Sequence, residues 1–379
     1  MKEDLIVMAV GDVGVGGGGG QFPSVAIPVT KEKLELRNWL EKVAPVLQAG
    51  DFTMGNLEGA ICQSISATES KSGTGAGIIM MSSEAADVLK KAGFHMLALA
   101  NNHTMDYGSE GMVQTLDNLD RVGIAHAGGG RNLEEARKPA LLERDGVTLA
   151  MLSYSSVFVP GVFPAGEDKP GMATVTIHTS YEIPGNILYA PGAPPRIITT
   201  PKREDREKME KEVRQAKSEA DVVVVNWHWG LTRYANSHAS GLPMEDSLFY
   251  VLNYQEDMGR AAIDAGADLI IGHHPHRLQG IDIYKGKVIC YSLGVLTMPF
   301  SMGVNIGEES AIVKAYIDRK TKQIKRVTMI PVMVPMEILQ PYPVPINQAG
   351  GIINELQRLS KKYGIKFRAE NGEIAIQSK

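Results

Sequence analysis

The sequence predicts a layered α/β fold with helices covering a sheet, and three observations carry that expectation. Apolar strand-like runs alternate with longer segments of helical spacing through the first half of the chain. The alternation resumes after residue 202. Side chains that suit metal ions stand just past one strand-like run after another. Taken in order, "LIVMAV" reads as a first buried strand, and "KEKLELRNWLEKVAPVLQ" as a helix with Leu34, Leu40, Val43 and Leu47 near helical spacing. "DFTMGN" is a strand followed by a Ser/Gly/Thr-rich loop. "SSEAADVLKKAG" opens on serine as an N-cap and closes on Gly93, the residue type that most readily ends a helix in the left-handed region. "HMLALA" is a strand, "SEGMVQTLDNLDRVG" a helix, and "VTLAMLSYS" another strand.

Residues 155–202 are rich in Pro and Gly and lose helical periodicity, so they read as a long insertion, either a lid or an irregular surface loop. "REDREKMEKEVRQAKSEA" is a helix with a heavily charged, solvated face. "DVVVVNWHWG", a helix around Met258 to Ala265, and "DLIIGHHPH" restore the alternation. From "GIDIYKGKVICYSLG" through "KAYIDRKTKQIKRVTMIPVMV" the pattern is β-hairpins with Lys-Gly or charged turns, and "GGIINELQRLSKKYG" is a C-terminal helix. Residues 1–335 read as one domain that contains the insertion, with 336–379 as an extension packing on it.

Composition narrows the function classes. With 379 residues, 44% hydrophobic and 22% charged, the chain can bury a sizeable core as one large domain or two. A net charge of -4 gives no reason to expect nucleic acid or an acidic membrane as partner. Cys62 and Cys290 stand far apart, which excludes a disulfide framework or a thiolate metal cluster. The start, "MKEDLIVMAVGDVG", has an apolar run of about seven residues, too short for a signal core or a membrane span, and the expectation is a cytoplasmic protein. The tract "VGVGGGGGQ" lacks the Gly-Lys-Ser/Thr ending of a nucleotide loop, and reads as a flexible loop or as glycines that let backbone N–H groups approach an anion.

Asp12 follows the first strand, and "GNLEG" follows the second with Asn56 and Glu58. "NNHTMDYG" follows the third with Asn101, Asn102, His103 and Asp106. His228 ends "VVVVNWH", and His273, His274 and His276 follow "LII". In an open α/β sheet the carboxyl ends of the strands define the ligand-binding edge, so these loops are expected to converge. A set of two carboxylates, an amide oxygen and three or more imidazoles suits divalent Mn, Fe or Zn and not a calcium cage, which takes oxygens alone. Six ligands exceed what one structural zinc needs and suffice for two ions. Between Asn56 and Glu58 the choice of ligand stays open, with Glu58 favoured for its charge. Asn102 adjoins His103, whereas Asn101 reads as holding the loop. His273 and Asp106 read as groups that orient neighbouring ligands, with helix capping the other reading for Asp106. His95, His126 and His178, in apolar or loop settings, read as structural.

These stretches also carry a family resemblance. "GD", "GNLEGAI", "LALANNHTMDYG", "NWHWG" and "GHHPHRLQGIDIYKGKVICYSLG" resemble the successive motifs of the CapA-type capsule and poly-γ-glutamate biosynthesis proteins, a branch of the calcineurin-like metallophosphoesterase superfamily. The resemblance covers roughly residues 4–300. It implies a four-layer α/β/β/α sandwich of two mixed sheets flanked by helices, with a two-ion site at the strand ends. It implies Asp12, Glu58, Asn102, His228, His274 and His276 as ligands and His103 as general acid or transition-state stabiliser. The activity implied is metal-dependent hydrolysis by activated hydroxide, on a phosphoester or on a γ-glutamyl amide of a small or polymeric anionic substrate. A non-catalytic part in polymer synthesis or export is the rival reading. Gly14 replaces the imidazole of the superfamily's Asp-x-His, as is also true of the resembled branch, and two positions depart from the family pattern: Thr232 stands where a Glu is usual after "HWG", and Val295 replaces the Asn usual after "SLG".

Overall fold

Strand Asp4–Val13 turns its side chains alternately into two apolar layers, Leu5, Val7 and Ala9 to one side and Met8 and Val10 to the other. Strand Val222–His228 does the same, with Val222 and Val224 in the layer that also holds Leu5 and Val7, and Val223 and Val225 on its far side. The shared layer is therefore the core between two sheets, and each sheet needs a second apolar cover on its outer face. In the computed structural model, which describes residues 3–15, 38–63, 65–66, 78–182, 196–231, 250–298, 307–335 and 340–378, helices supply both covers. Helices Glu84–Ala92 and Gly108–Val122 pack Leu89, Met112, Leu116 and Leu119 on the first sheet. Helices Arg203–Glu219 and Asn253–Ala265 pack Met209, Val213 and Met258 on the second. The result is the four-layer α/β/β/α sandwich with mixed sheets.

Among the described residues the first sheet has ten strands. Asp4–Val13 lies at its centre, with Phe52–Leu57, Met96–Ala98 and Ala125–Ala127 following in parallel on one side. The antiparallel strands Glu309–Asp318 and Gln323–Met333 lie on the other. The second has six strands. Val222–His228 runs parallel between Val147–Ser155 and Leu269–His273, Lys287–Cys290 continues the parallel set, and antiparallel edges close both sides. The carboxyl ends of both parallel sets lie toward one end of the sandwich.

Local chemistry explains most boundaries. Gly93 and Gly123 end their helices in the left-handed conformation (φ 107° and 67°), as expected for Gly93. Ser83 precedes the first of these helices without a capping hydrogen bond from its side chain. Lys285 and Gly286, both at positive φ (51° and 77°), make the two-residue turn between Ile281–Tyr284 and Lys287–Cys290. The charged helix 203–219 buries only Met209, Val213 and Ala216, so its charges are a solvated face.

Three expectations change. Of the helix expected from residue 31, the described residues show turns over 38–43 and the single helical turn Ala44–Leu47, where Pro45 is tolerated in the first turn, and residues 31–37 lie outside the described residues. The 155–202 stretch is not irregular throughout. Ile177–Glu182 pairs antiparallel with Arg196–Pro201, and Gly171–Met172 pairs with Gly129–Gly130. After the helix Gly350–Leu359, the C-terminal segment forms a hairpin, Lys366–Glu370 with Glu373–Gln377, whose second strand pairs with Gln323–Met333. This extension thus continues the first sheet rather than only packing against it. Among the described residues no helix is long and apolar enough to cross a membrane. The glycine tract from residue 16 on and Thr232 lie outside the described residues.

Candidate metal centre

Asp12 reaches the space between the sheets because the first strand carries a β-bulge. Ala9 pairs with Met54 but Asp12 pairs with Asn56, so one extra residue is accommodated on the Asp12 strand. Without it, Asp12 would share the outward parity of Met8 and Val10. The strand is held here at close quarters: a Cβ on Gly11 would lie 2.0 Å from the Gly294 carbonyl oxygen, and that same oxygen accepts the Asp12 N–H at 3.0 Å. Val295, the departure after "SLG", pairs with Asp12 across a parallel bridge and is buried.

Around Asp12 the structure brings the expected residues together. The Asn56 amide donates from Nδ2 to Asp12 Oδ1 at 2.9 Å, and His276 Nδ1 lies 2.9 Å from Asp12 Oδ2. Glu58 Oε1 stands 3.5 Å from His276 Nε2, 3.8 Å from His228 Nε2 and 4.0 Å from His103 Nε2. His228 Nε2 is 2.6 Å from Asn102 Oδ1, and the rings of His228 and His274 are 4.7 Å apart. Their ligating atoms form two groups, Asp12/Glu58/His276 and Glu58/His228/His274, each with all its atoms within 4.8 Å of one another. Glu58 belongs to both groups. Asn56 donates to Asp12, lies 3.3 Å from His228 Nδ1 through its Nδ2, and accepts from Asn101 Nδ2 at 3.1 Å.

The flanking residues take distinct places. Asn101 holds its loop: Nδ2 donates to the Leu57 carbonyl at 2.7 Å, and Oδ1 accepts the N–H groups of His103 and Thr104 at 3.0 Å each. Asp106 Oδ2 lies 2.8 Å from His103 Nδ1 and accepts the Ile79 N–H at 2.7 Å, so it ties the imidazole to the segment just before strand Met80–Met81. His273 is turned to Asn226 and to the back of Asp12 and belongs to neither group. His274 and His276 have positive φ (96° and 56°), a conformation uncommon for residues with a side chain and concentrated at functional sites. His95 accepts the Thr53 N–H at Nδ1, His126 contacts Asp120, and His178 sits on an exposed strand, all away from this cluster.

Asp12, Glu58, His228, His274 and His276 are all under 7% exposed. Burial raises the Asp12 carboxyl, but the His273 and His276 rings outweigh it and hold the group well below the usual carboxylate range. Burial, followed by the neighbouring His274 ring, pushes His228 well below the usual histidine value. Ionised carboxylates and neutral imidazoles are the forms that bind metal, so this donor set fits divalent cations. Asn226 was not singled out from the sequence. Its signal is an amide ending a run of four valines, on the same face as His228 two residues later.

Fold and site together define an α/β sandwich of the metallophosphoesterase type, with a carboxylate–imidazole centre at the strand ends. A model of the bacterial capsule synthesis protein PGA_cap matches residues 6–298, and the chain belongs to that family. It is similar to the PGA biosynthesis protein CapA of Bacillus subtilis, 29% identical over 339 residues that cover 88% of this chain and 74% of that protein. The capsule biosynthesis protein CapA of Bacillus anthracis is 29% identical over 307 residues, 81% of this chain and 63% of that one. A probable polyglutamine synthesis accessory protein of Mycobacterium tuberculosis is 26% identical over 280 residues, covering 72% and 63%.

Proposed function

We propose that the protein is a metal-dependent hydrolase acting on an anionic ester, with a phosphoester as the favoured substrate class, in the synthesis of a capsule or poly-γ-glutamate polymer. One observation carries this reading: two buried donor groups share Glu58, and a histidine that belongs to neither group stands beside them. Asp12, Glu58 and His276 would hold one divalent ion, and Glu58, Asn102, His228 and His274 the other. When bound, such a pair supplies Lewis acidity, which makes water nucleophilic near neutral pH and neutralises charge developing on an ester's oxygens. The protein's own part is to orient and to move a proton. Asp106 accepts from His103 Nδ1–H, which directs Nε2 toward the Glu58 side of the centre, where a proton on it can pass to a leaving oxygen. Asn101 holds the loop that carries Asn102 and His103 in place.

The relatives are named for PGA biosynthesis and polyglutamine synthesis, and in a second reading the same centre cleaves an amide of such a polymer. The experiment is to assay Mn2+-loaded protein on p-nitrophenyl phosphate, bis(p-nitrophenyl) phosphate and poly-γ-glutamate, with His103→Ala beside the wild type. Turnover of an ester that falls about 10²–10⁴-fold in the variant supports the first reading. Cleavage of the polymer alone selects the second. Metal uptake with no turnover of any substrate would leave a binding role in polymer assembly and end both.

A further inference from the structure

Asn226 is almost fully buried between the sheets, with Val222 and Val224 preceding it on the same face of its strand. An amide in an apolar layer needs strong partners, and its Nδ2 meets only the Met54 sulfur at 3.8 Å among the described residues, a weak acceptor. Its one strong contact is Oδ1 to His273 Nε2 at 3.0 Å. His273 is equally buried, and its Nδ1 stands in ion-pair contact, not hydrogen-bonded, 3.4 Å from Asp12 Oδ1, the oxygen that also accepts from Asn56. Asp12 Oδ2 faces the other way, toward His276 Nδ1 at 2.9 Å and the His274 N–H at 3.4 Å. The two oxygens of Asp12 are thereby divided, one toward a supporting network and one toward the donor group.

We infer that Asn226 is a positioning residue that acts through His273 to set the rotation of the Asp12 carboxylate, so that Oδ2 alone is offered to the ion of the Asp12/Glu58/His276 group. The inference rests on the proposed metal centre. That group lacks the imidazole absent at Gly14, so its affinity depends on how well Asp12 is aimed. The Glu58/His228/His274 group meets the Asp12 side through Asn56, whose Nδ2 lies 3.3 Å from His228 Nδ1.

The test is a Mn2+ titration of the metal-free protein, with free Mn2+ read from its electron paramagnetic resonance signal. The wild type, Asn226→Val, Asn226→Asp, His273→Ala and the double variant Asn226→Val/His273→Ala are compared. Asn226→Val is expected to weaken one of two Mn2+ equivalents 10–100-fold, the usual effect of losing a partner behind a ligand, and to leave the other unchanged. Asn226→Asp keeps an oxygen within reach of His273 Nε2 and should restore wild-type uptake, which a role in packing alone would not require. The double variant should bind no more weakly than His273→Ala, because a residue that acts through another adds nothing once the second is gone. Wild-type binding in Asn226→Val, equal weakening of both equivalents, or losses that add in the double variant would each overturn the inference. If Asn226→Val does not fold, the Asn226→Asp and His273→Ala arms still decide it. A wild type that takes up no Mn2+ fails before any variant is compared, and that result overturns the metal centre itself.

Discussion

Glu58→Gln is the perturbation that bears most directly on the centre, because it removes one charge from a group shared by two donor sets while keeping the side chain's shape. Glu58 is fully buried, and its Oε1 lies between 3.5 and 4.0 Å from ring nitrogens of His276, His228 and His103. Two unit charges about 4 Å apart attract by about 4 kcal/mol at an effective dielectric of 20. At about 1.4 kcal/mol per factor of ten, this is nearly three orders of magnitude in affinity, and more for a doubly charged ion at ligand distance. Glu58→Gln is therefore expected to weaken both metal equivalents by at least about a thousandfold, whereas Asp12→Asn should weaken one. The assay is Mn2+ titration of chelator-stripped protein, with elemental analysis of the protein recovered from a fixed excess of metal. Two equivalents retained at wild-type affinity in Glu58→Gln would refute the shared-ligand geometry. A loss confined to one equivalent would refute the sharing while leaving the site.

Other expectations follow from contacts elsewhere in the fold. Gly11→Ala places a Cβ 2.0 Å from the Gly294 oxygen, so backbone must move. A loss of about 1–3 kcal/mol in urea unfolding is expected, together with weaker metal binding through the displaced Asp12, and unchanged stability would contradict the close approach. Arg137 makes a bidentate pair with Glu212 (2.6 and 2.9 Å) that Tyr154 extends with its hydroxyl at 2.8 Å. Breaking such a largely buried pair with Arg137→Ala should cost about 3–5 kcal/mol, read from the urea midpoint. The Glu373 carboxylate, in the terminal hairpin, accepts from Lys314 Nζ, Tyr316 Oη and Thr328 Oγ1. Burial raises this carboxyl, but the three donors outweigh it and lower its pKa. A group lowered on folding stabilises fully above its unfolded pKa and loses that contribution as pH falls through the folded value. The stability difference between wild type and Glu373→Gln should therefore be full at neutral pH and shrink below the usual glutamate range. A difference that grows on acidification would reverse the sign.

The site was legible in the sequence because ligand-type residues stand at strand ends, and parallel strands of one sandwich bring their carboxyl ends to the same place. What the sequence withheld is parity. Nothing in "LIVMAVGDVG" marks the bulge that turns Asp12 inward, since the signal is a pairing with Phe52–Leu57 rather than any residue type. Glu58 and Asn56 could not be separated for the same reason: both face the centre, and both come close to His228, at 3.8 and 3.3 Å. The elements that were missed had signals of the weaker kind. Asn371 and Gly372, both at positive φ, form the terminal hairpin turn, and Asn-Gly is a recognised turn pair. That hairpin was overlooked because its strands are short and the first is largely exposed. The 177–182 strand lost its apolar alternation because all but its first residue are exposed. The same logic accounts for Asn226, whose amide stands out only once its face of the strand is known to be the inner one. An amide kept there, with one strong partner in His273, is a local cost that packing does not explain and that the aim of Asp12 does.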